Sequence, residues 1–168
     1  MTPIDPGSKV VLATEGELLQ MQGCLLRVKV TGHDTGGAYA LMESVTLPGA
    51  GDPLHIHAEE DEALYVLEGE IDVQIDGCNR RLGAGAYVYL PRRTLHSHKV
   101  AGSTPARLLI TVSPAGLELY FTELARLLTL GTLNADALIS LSAEYGIRFV
   151  EPMPTQGPGS PEQNVSAP

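Results

Sequence analysis

Between residues 24 and 112 the chain is written in short apolar runs, at 24–30, 38–47, 63–67, 71–75, 87–90 and 106–112, separated by Gly, Pro, Asp and Asn. β-branched and aromatic residues between such breakers predict strands. The segment IDVQIDG shows the period of two directly. Ile71, Val73 and Ile75 fall on one face and Asp72, Gln74 and Asp76 on the other, the pattern of a half-buried strand. The same parity puts Leu64 and Val66 on the face of Glu62. Past Pro114 the period changes: Leu117, Tyr120, Phe121, Leu124, Leu127 and Leu128 recur at three- and four-residue intervals and predict an amphipathic helix. Asn134 offers an N-cap for a second helix, with Leu138, Leu141 and Tyr145 on one side and Gly146 as its stop.

Many short strands with regular turn signals predict an all-β fold, an antiparallel barrel or double-sheet jelly roll, with the two C-terminal helices packed outside it or closing one end. The expected organisation is an N-terminal arm and edge strand at 1–22, a barrel at 23–113, helices at 114–150 and a tail at 151–168. The tail, rich in Pro, Gly and Ser, is expected to be disordered from about Thr155. No internal repeat is visible, so one barrel is expected.

The chemistry concentrates in GAGDPLHIHAEEDEALYVLEG, residues 49–69. On a strand, side chains at i and i+2 share a face, so His55 and His57 present two imidazoles to one point. A turn through residues 58–61 brings Glu62 back on the neighbouring strand. His96, behind its own Gly and Pro, must arrive from elsewhere in the fold. Three neutral imidazoles and one carboxylate would leave a divalent ion with open positions for water, substrate or dioxygen.

Here the chain resembles the cupin superfamily, whose first motif reads G-x5-H-x-H-x3-4-E-x6-G and whose second reads G-x5-P-x-G-x2-H-x3-N. Gly49, His55, His57, Glu62 and Gly69 match every fixed position of the first; Gly85, Pro91 and His96 match the second. Arg93 stands where the second motif has Gly, and Val100 where it has Asn. Neither departure removes a metal donor. The resemblance implies a cupin jelly roll with one divalent transition metal (Fe, Mn, Ni, Co, Cu or Zn) on His55, His57, Glu62 and His96. It also implies a homodimer, with the N-terminal strand near residues 9–12 adding to the partner's sheet. The single barrel, PAGLELYFTELARL and EYGIRFVEP look like the small bacterial quercetinase-like cupins, which implies a dioxygenase acting on flavonol-like substrates with Glu62 accepting the substrate's hydroxyl proton.

Other residues add less. His98 shares parity with His96, so it can face the same cavity as a second catalytic group or end as a structural histidine at the sheet edge. His33 reads as a loop residue. Tyr39, Tyr87 and Tyr89 can serve core, interface or pocket. Cys24 and Cys78 form no C-x-x-C unit, and Cys78 sits in the turn-like DGCN; both read as free thiols of a reducing compartment.

The 168 residues suit one domain, and 43% hydrophobic residues without a long apolar run predict a soluble, cytoplasmic protein with no membrane partner. A net charge of −9 with scattered basic residues argues against nucleic acid; Arg92 and Arg93 read as rim charges able to attract an anionic substrate. The partner expected is a small molecule. Three functions fit the residues: an oxygenase of flat phenols or enols, a non-oxidative metal-dependent cyclase, isomerase or decarboxylase, and a non-catalytic ligand-binding module.

Overall fold

A computed structural model describes residues 7–150; the tail expected to be disordered lies outside them. The strands are β1 (Glu17–Met21), β2 (Cys24–Val30), β3 (Ala40–Thr46), β4 (Gly51–His57), β5 (Asp61–Glu68), β6 (Glu70–Ile75), β7 (Cys78–Gly83), β8 (Tyr87–Leu90), β9 (His96–Val100), β10 (Ala106–Ser113) and β11 (Ile147–Phe149). A single-turn α1 (Gly32–Thr35) follows β2, and α2 (Leu117–Thr129) and α3 (Ala135–Glu144) lie between β10 and β11. Every strand pairing is antiparallel. One sheet runs β1-β2-β3-β10-β5-β8 and the other β11-β4-β9-β6-β7, the crossed order of a jelly roll. The two sheets face each other and do not join into one hydrogen-bonded ring.

The inner faces follow the parity of the sequence. Ile71 and Val73 are buried while Asp72 is exposed; on β5, Glu62, Leu64 and Val66 are all buried. Met42, Leu64, Val66, Leu108 and Val112 from the six-stranded sheet pack with Ile71, Val73 and Val100 from the other. Each such side chain contributes roughly 1.5–3 kcal/mol by leaving water.

The helices pack outside the sheets, α2 against β1 and β3 and α3 against β11. Leu117, Tyr120 and Ala125 of α2 and Leu141 of α3 join the core, and the Tyr120 hydroxyl lies 3.1 Å from Ser142 Oγ. Asn134 caps α3 as the sequence predicts, its Oδ1 accepting from Ala137 N at 2.9 Å. At the start of α2 Gly116 has no side chain to cap with. Buried Glu118 takes over, accepting from Gly116 N at 2.7 Å and from Gly32 N at 2.8 Å.

Some expectations change. Residues 9–12 form no strand; Lys29 Nζ holds the carbonyls of Leu12, Ala13 and Glu15 at 3.0, 2.6 and 3.2 Å, which folds the arm onto its own chain. Cys78 opens β7, the turn lying before it at Asp76 and Gly77. Tyr87 and Tyr89 point outward, 62% and 55% exposed, because Val88 and Leu90 take the inward positions of β8. Tyr39 is likewise exposed, and His33 lies on α1 at the surface. No helix among the described residues is long and apolar enough to cross a membrane.

Candidate metal centre

β4 delivers His55 and His57 to the inner face, and the chain returns as β5 with Glu62 facing them. His96 begins β9, which pairs with β4 so that His55 and His96 are cross-strand partners. The turn before His96 is built for this. Thr94 N bonds Pro91 O at 3.1 Å, and Arg93 N bonds His57 O at 2.7 Å, tying the second motif to the first. Arg93 has φ 69°, the left-handed region a glycine would favour, so the turn survives the substitution with its backbone under strain. At Gly69 the motif's glycine has a second cause: with φ 76°, an added Cβ would sit 2.6 Å from Pro105 O.

One ligand atom from each of His55, His57, Glu62 and His96 lies within 4.8 Å of all the others, and all four residues are buried. Two of the rings are locked by carbonyls. His55 Nδ1 donates to Pro53 O at 2.7 Å and His96 Nδ1 to Thr94 O at 2.9 Å, so each ring is turned with its Nε2 inward. His55 Nε2 then meets His57 Nε2 at 2.9 Å, and Glu62 Oε2 lies 3.1 Å from His96 Nε2 and 3.5 Å from His57 Nε2. The buried His57 Nδ1 has no partner.

The charges follow from this packing. Desolvation pushes the His55 pKa down to about 4, keeping that ring neutral. Burial alone would raise the Glu62 pKa, but hydrogen bonds from His57 and His96 reverse this and hold the carboxyl well below the usual range. Burial also works to lower His96, yet Glu62 outweighs it and the pKa rises.

A divalent ion fits this set better than protons do. Neighbouring corners of an octahedral shell with bonds of about 2.1 Å are about 3.0 Å apart, close to the spacings found. A cation between His55 Nε2 and His57 Nε2 would take the place of the hydrogen bond they share at 2.9 Å. Residues 42–112 match the family model for the cupin domain. Over that stretch the chain carries a cupin domain. This cupin is 35% identical over 89 residues to quercetin 2,3-dioxygenase of Bacillus subtilis, covering 51% of this chain and 26% of that protein. It is 29% identical over 94 residues to the tetracenomycin polyketide synthase protein TcmJ of Streptomyces glaucescens, covering 55% of this chain and 63% of TcmJ. The matched stretches thus span less than two thirds of either relative. In fold, an RmlC-like cupin from Shewanella frigidimarina superposes with a TM-score of 0.57 over 67% of this chain and 96% of its own, at 23% identity.

The remaining site residues are placed unevenly. His98 is buried on the face of His96 but stands outside the four-donor cluster, its Nδ1 3.2 Å from Asp52 Oδ2. Arg92 is exposed and engaged by Asp61 at 2.9 Å. Two neighbours escape sequence reasoning. Phe149, on the short β11 opposite His55, sets its ring 6.0 Å from the His55 ring; a three-residue strand has too little pattern to read. Asp52 gives no signal either, since strand parity assigns it to the opposite face. A hollow of about 340 Å³ between α3 and β11 lies beside this wall, bordered by Ile139, Gly146, Ile147 and Phe149 and by none of the four donors.

Proposed function

We propose that this cupin is a metal-dependent dioxygenase acting on a flat phenolic or enolic small molecule of the flavonol kind. The convergence of three imidazole nitrogens and one carboxylate oxygen on a single buried point carries this reading. Four protein donors leave part of an octahedral shell open, which suits a reactive centre and not a sealed structural one. A bound divalent ion would supply Lewis acidity toward a phenolate or enolate oxygen.

The chain's own groups do the rest. The carbonyls of Pro53 and Thr94 keep His55 and His96 turned inward. Glu62, held ionised between His57 and His96, is the base placed to take the proton a substrate hydroxyl releases. His98, buried one layer along β9, is a second group able to receive it. The partly buried Ile75, cross-strand partner of His96, and Phe149, its ring 6.0 Å from that of His55, offer apolar surface to a flat ring. Likeness to a quercetin dioxygenase supports this choice of substrate.

Oxygen uptake by metal-reconstituted protein with a panel of flavonols and related enols tests the reading. Uptake above background that disappears in Glu62→Gln is expected; background uptake with every metal and compound would refute it. A second reading has its own support, because the likeness to TcmJ covers a larger share of that polyketide synthase protein. There the same site would promote a non-oxidative cyclisation of an enolisable polyketide, and turnover under strict anaerobiosis would select it. We further propose a homodimer, for which the exposed Tyr65, Tyr87 and Tyr89 on paired strands supply apolar area; a monomeric mass by light scattering would refute that.

A further inference from the structure

The hollow of about 340 Å³ between α3 and β11 is bordered by none of the four donors, yet it lies on their side of the sheet. Directly opposed residues of antiparallel strands share a face, and β11 is paired so that Ile147 stands opposite His57 and Phe149 opposite His55. Two of the residues bordering the hollow therefore rise from the face that carries the donors. The Phe149 ring lies 6.0 Å from the His55 ring and also borders the hollow, which makes it a wall common to both. The frame is tied to the donor strand on either side, Ala58 N donating to Gly146 O at 2.9 Å and Val150 N to Leu54 O at 3.0 Å.

The lining is apolar with one charge. Ile139 is 57% exposed and Ala143 is exposed too, so α3 leaves apolar surface open to solvent here. Ser142 offers nothing polar to a guest, since it is buried with its hydroxyl 3.1 Å from that of Tyr120. Arg148 is the exception. It borders the hollow and is exposed, and its guanidinium has no hydrogen bond or ion pair among the described residues. Arg81, Arg92, Arg107 and Arg126 are all paired with carboxylates, so in a chain of net charge −9 an unpaired guanidinium stands out. An apolar cleft of this volume, with one polar group able to fix orientation, has the make-up of a small-molecule site.

We propose that this hollow is a second ligand site, taking a small aromatic carboxylate whose ring lies against Phe149, Ile147 and Ile139 and whose carboxylate meets Arg148. Guanidinium and carboxylate match in charge and in fork geometry, and a ring beside Phe149 gains the offset or edge contact that aromatic pairs prefer. Because Phe149 is shared, a guest in the hollow is felt beside His55. The site stands on this lining alone, whatever reaction the metal centre performs.

The chain contains no tryptophan, so the fluorescence anisotropy of an indole probe, excited beyond the tyrosine band, follows the probe alone. Indole-3-acetate should bind the full-length, zinc-loaded protein saturably with a Kd of roughly 1 mM or below. The isosteric, uncharged indole-3-acetamide should bind about fivefold more weakly or worse. Arg148→Gln should bring the acetate down to the affinity of the acetamide and leave the acetamide unchanged. Ala143→Phe, which fills the hollow from an exposed position of α3, should abolish binding of both. In the parent, the ¹³C methyl resonances of Ile139 and Ile147 should shift on saturation. Absence of saturable binding, equal affinity for the two probes, or binding that survives Ala143→Phe overturns the proposal. So does binding lost when zinc is removed, since the probe would then sit on the metal centre. Should Ala143→Phe fail to fold, an acetate affinity unchanged in Arg148→Gln, or methyl resonances of Ile139 and Ile147 that stay in place, overturns it instead. No oxygen uptake is measured, so these outcomes leave the dioxygenase reading untouched.

Discussion

Arg93→Gly is expected to stabilise the protein although it deletes a whole side chain. The turn ahead of His96 holds residue 93 at φ 69°, where a non-glycine residue costs roughly 1–2 kcal/mol. Glycine removes that strain but gives the unfolded chain more freedom, a penalty of roughly 0.5–1 kcal/mol. The difference leaves a gain of about 0.5–1 kcal/mol. Little opposes it, because the Arg93 side chain is exposed and the 2.7 Å bond from its amide to His57 O is kept by any residue with an N–H. For a domain of this size the gain corresponds to a Tm rise of roughly 1–4 °C. Urea unfolding of the metal-stripped protein measures it, with Arg93→Ala as the control that removes the charge but keeps Cβ; that variant should stay within about 0.5 kcal/mol of the parent. An Arg93→Gly protein no more stable than Arg93→Ala would show that the turn does not hold residue 93 in the left-handed region.

Lys29→Met should lose about 2 kcal/mol, since the buried ammonium serves the carbonyls of Leu12, Ala13 and Glu15 and its removal strands them; limited proteolysis should then cut near residues 12–16 faster than in the parent, and an unchanged cutting rate would contradict the grip. The two thiols should differ in reactivity at pH 8. Burial pushes the Cys24 pKa up to about 11, leaving about one thiolate in a thousand, while Cys78 is exposed, so iodoacetamide should label Cys78 first, and equal rates would refute the burial of Cys24. The metal-free protein should also reveal His55 through pH. Its folded pKa of about 4 lies below the ordinary 6.5, so the unfolded chain binds the proton more readily; this contribution to stability is full above about pH 6.5 and is lost as pH falls toward 4. His96, with a raised pKa, contributes with the opposite sign, so the comparison needed is parent against His55→Asn. The parent's stability should fall more steeply between pH 6.5 and 4, and parallel curves would refute the assignment.

The amino-acid sequence by itself determined the alternation that makes β6 half-buried, the inward set Glu62, Leu64 and Val66, the cap at Asn134, and four donors at a metal-binding spacing. These rest on local periodicity and on motif positions, which act over a few residues and need no knowledge of neighbours. Only the tertiary structure decided that His96 meets His55 across β4 and β9, and that the carbonyls of Pro53 and Thr94 choose the tautomers of their rings. It alone set Asp52 opposite His98, because a bulge is a property of two paired strands and cannot be read from the parity of one of them. It also turned Tyr87 and Tyr89 outward and brought the three residues of β11 beside His55, since pairing partners lie far apart in the chain and a short edge strand forms only when a sheet is there to receive it.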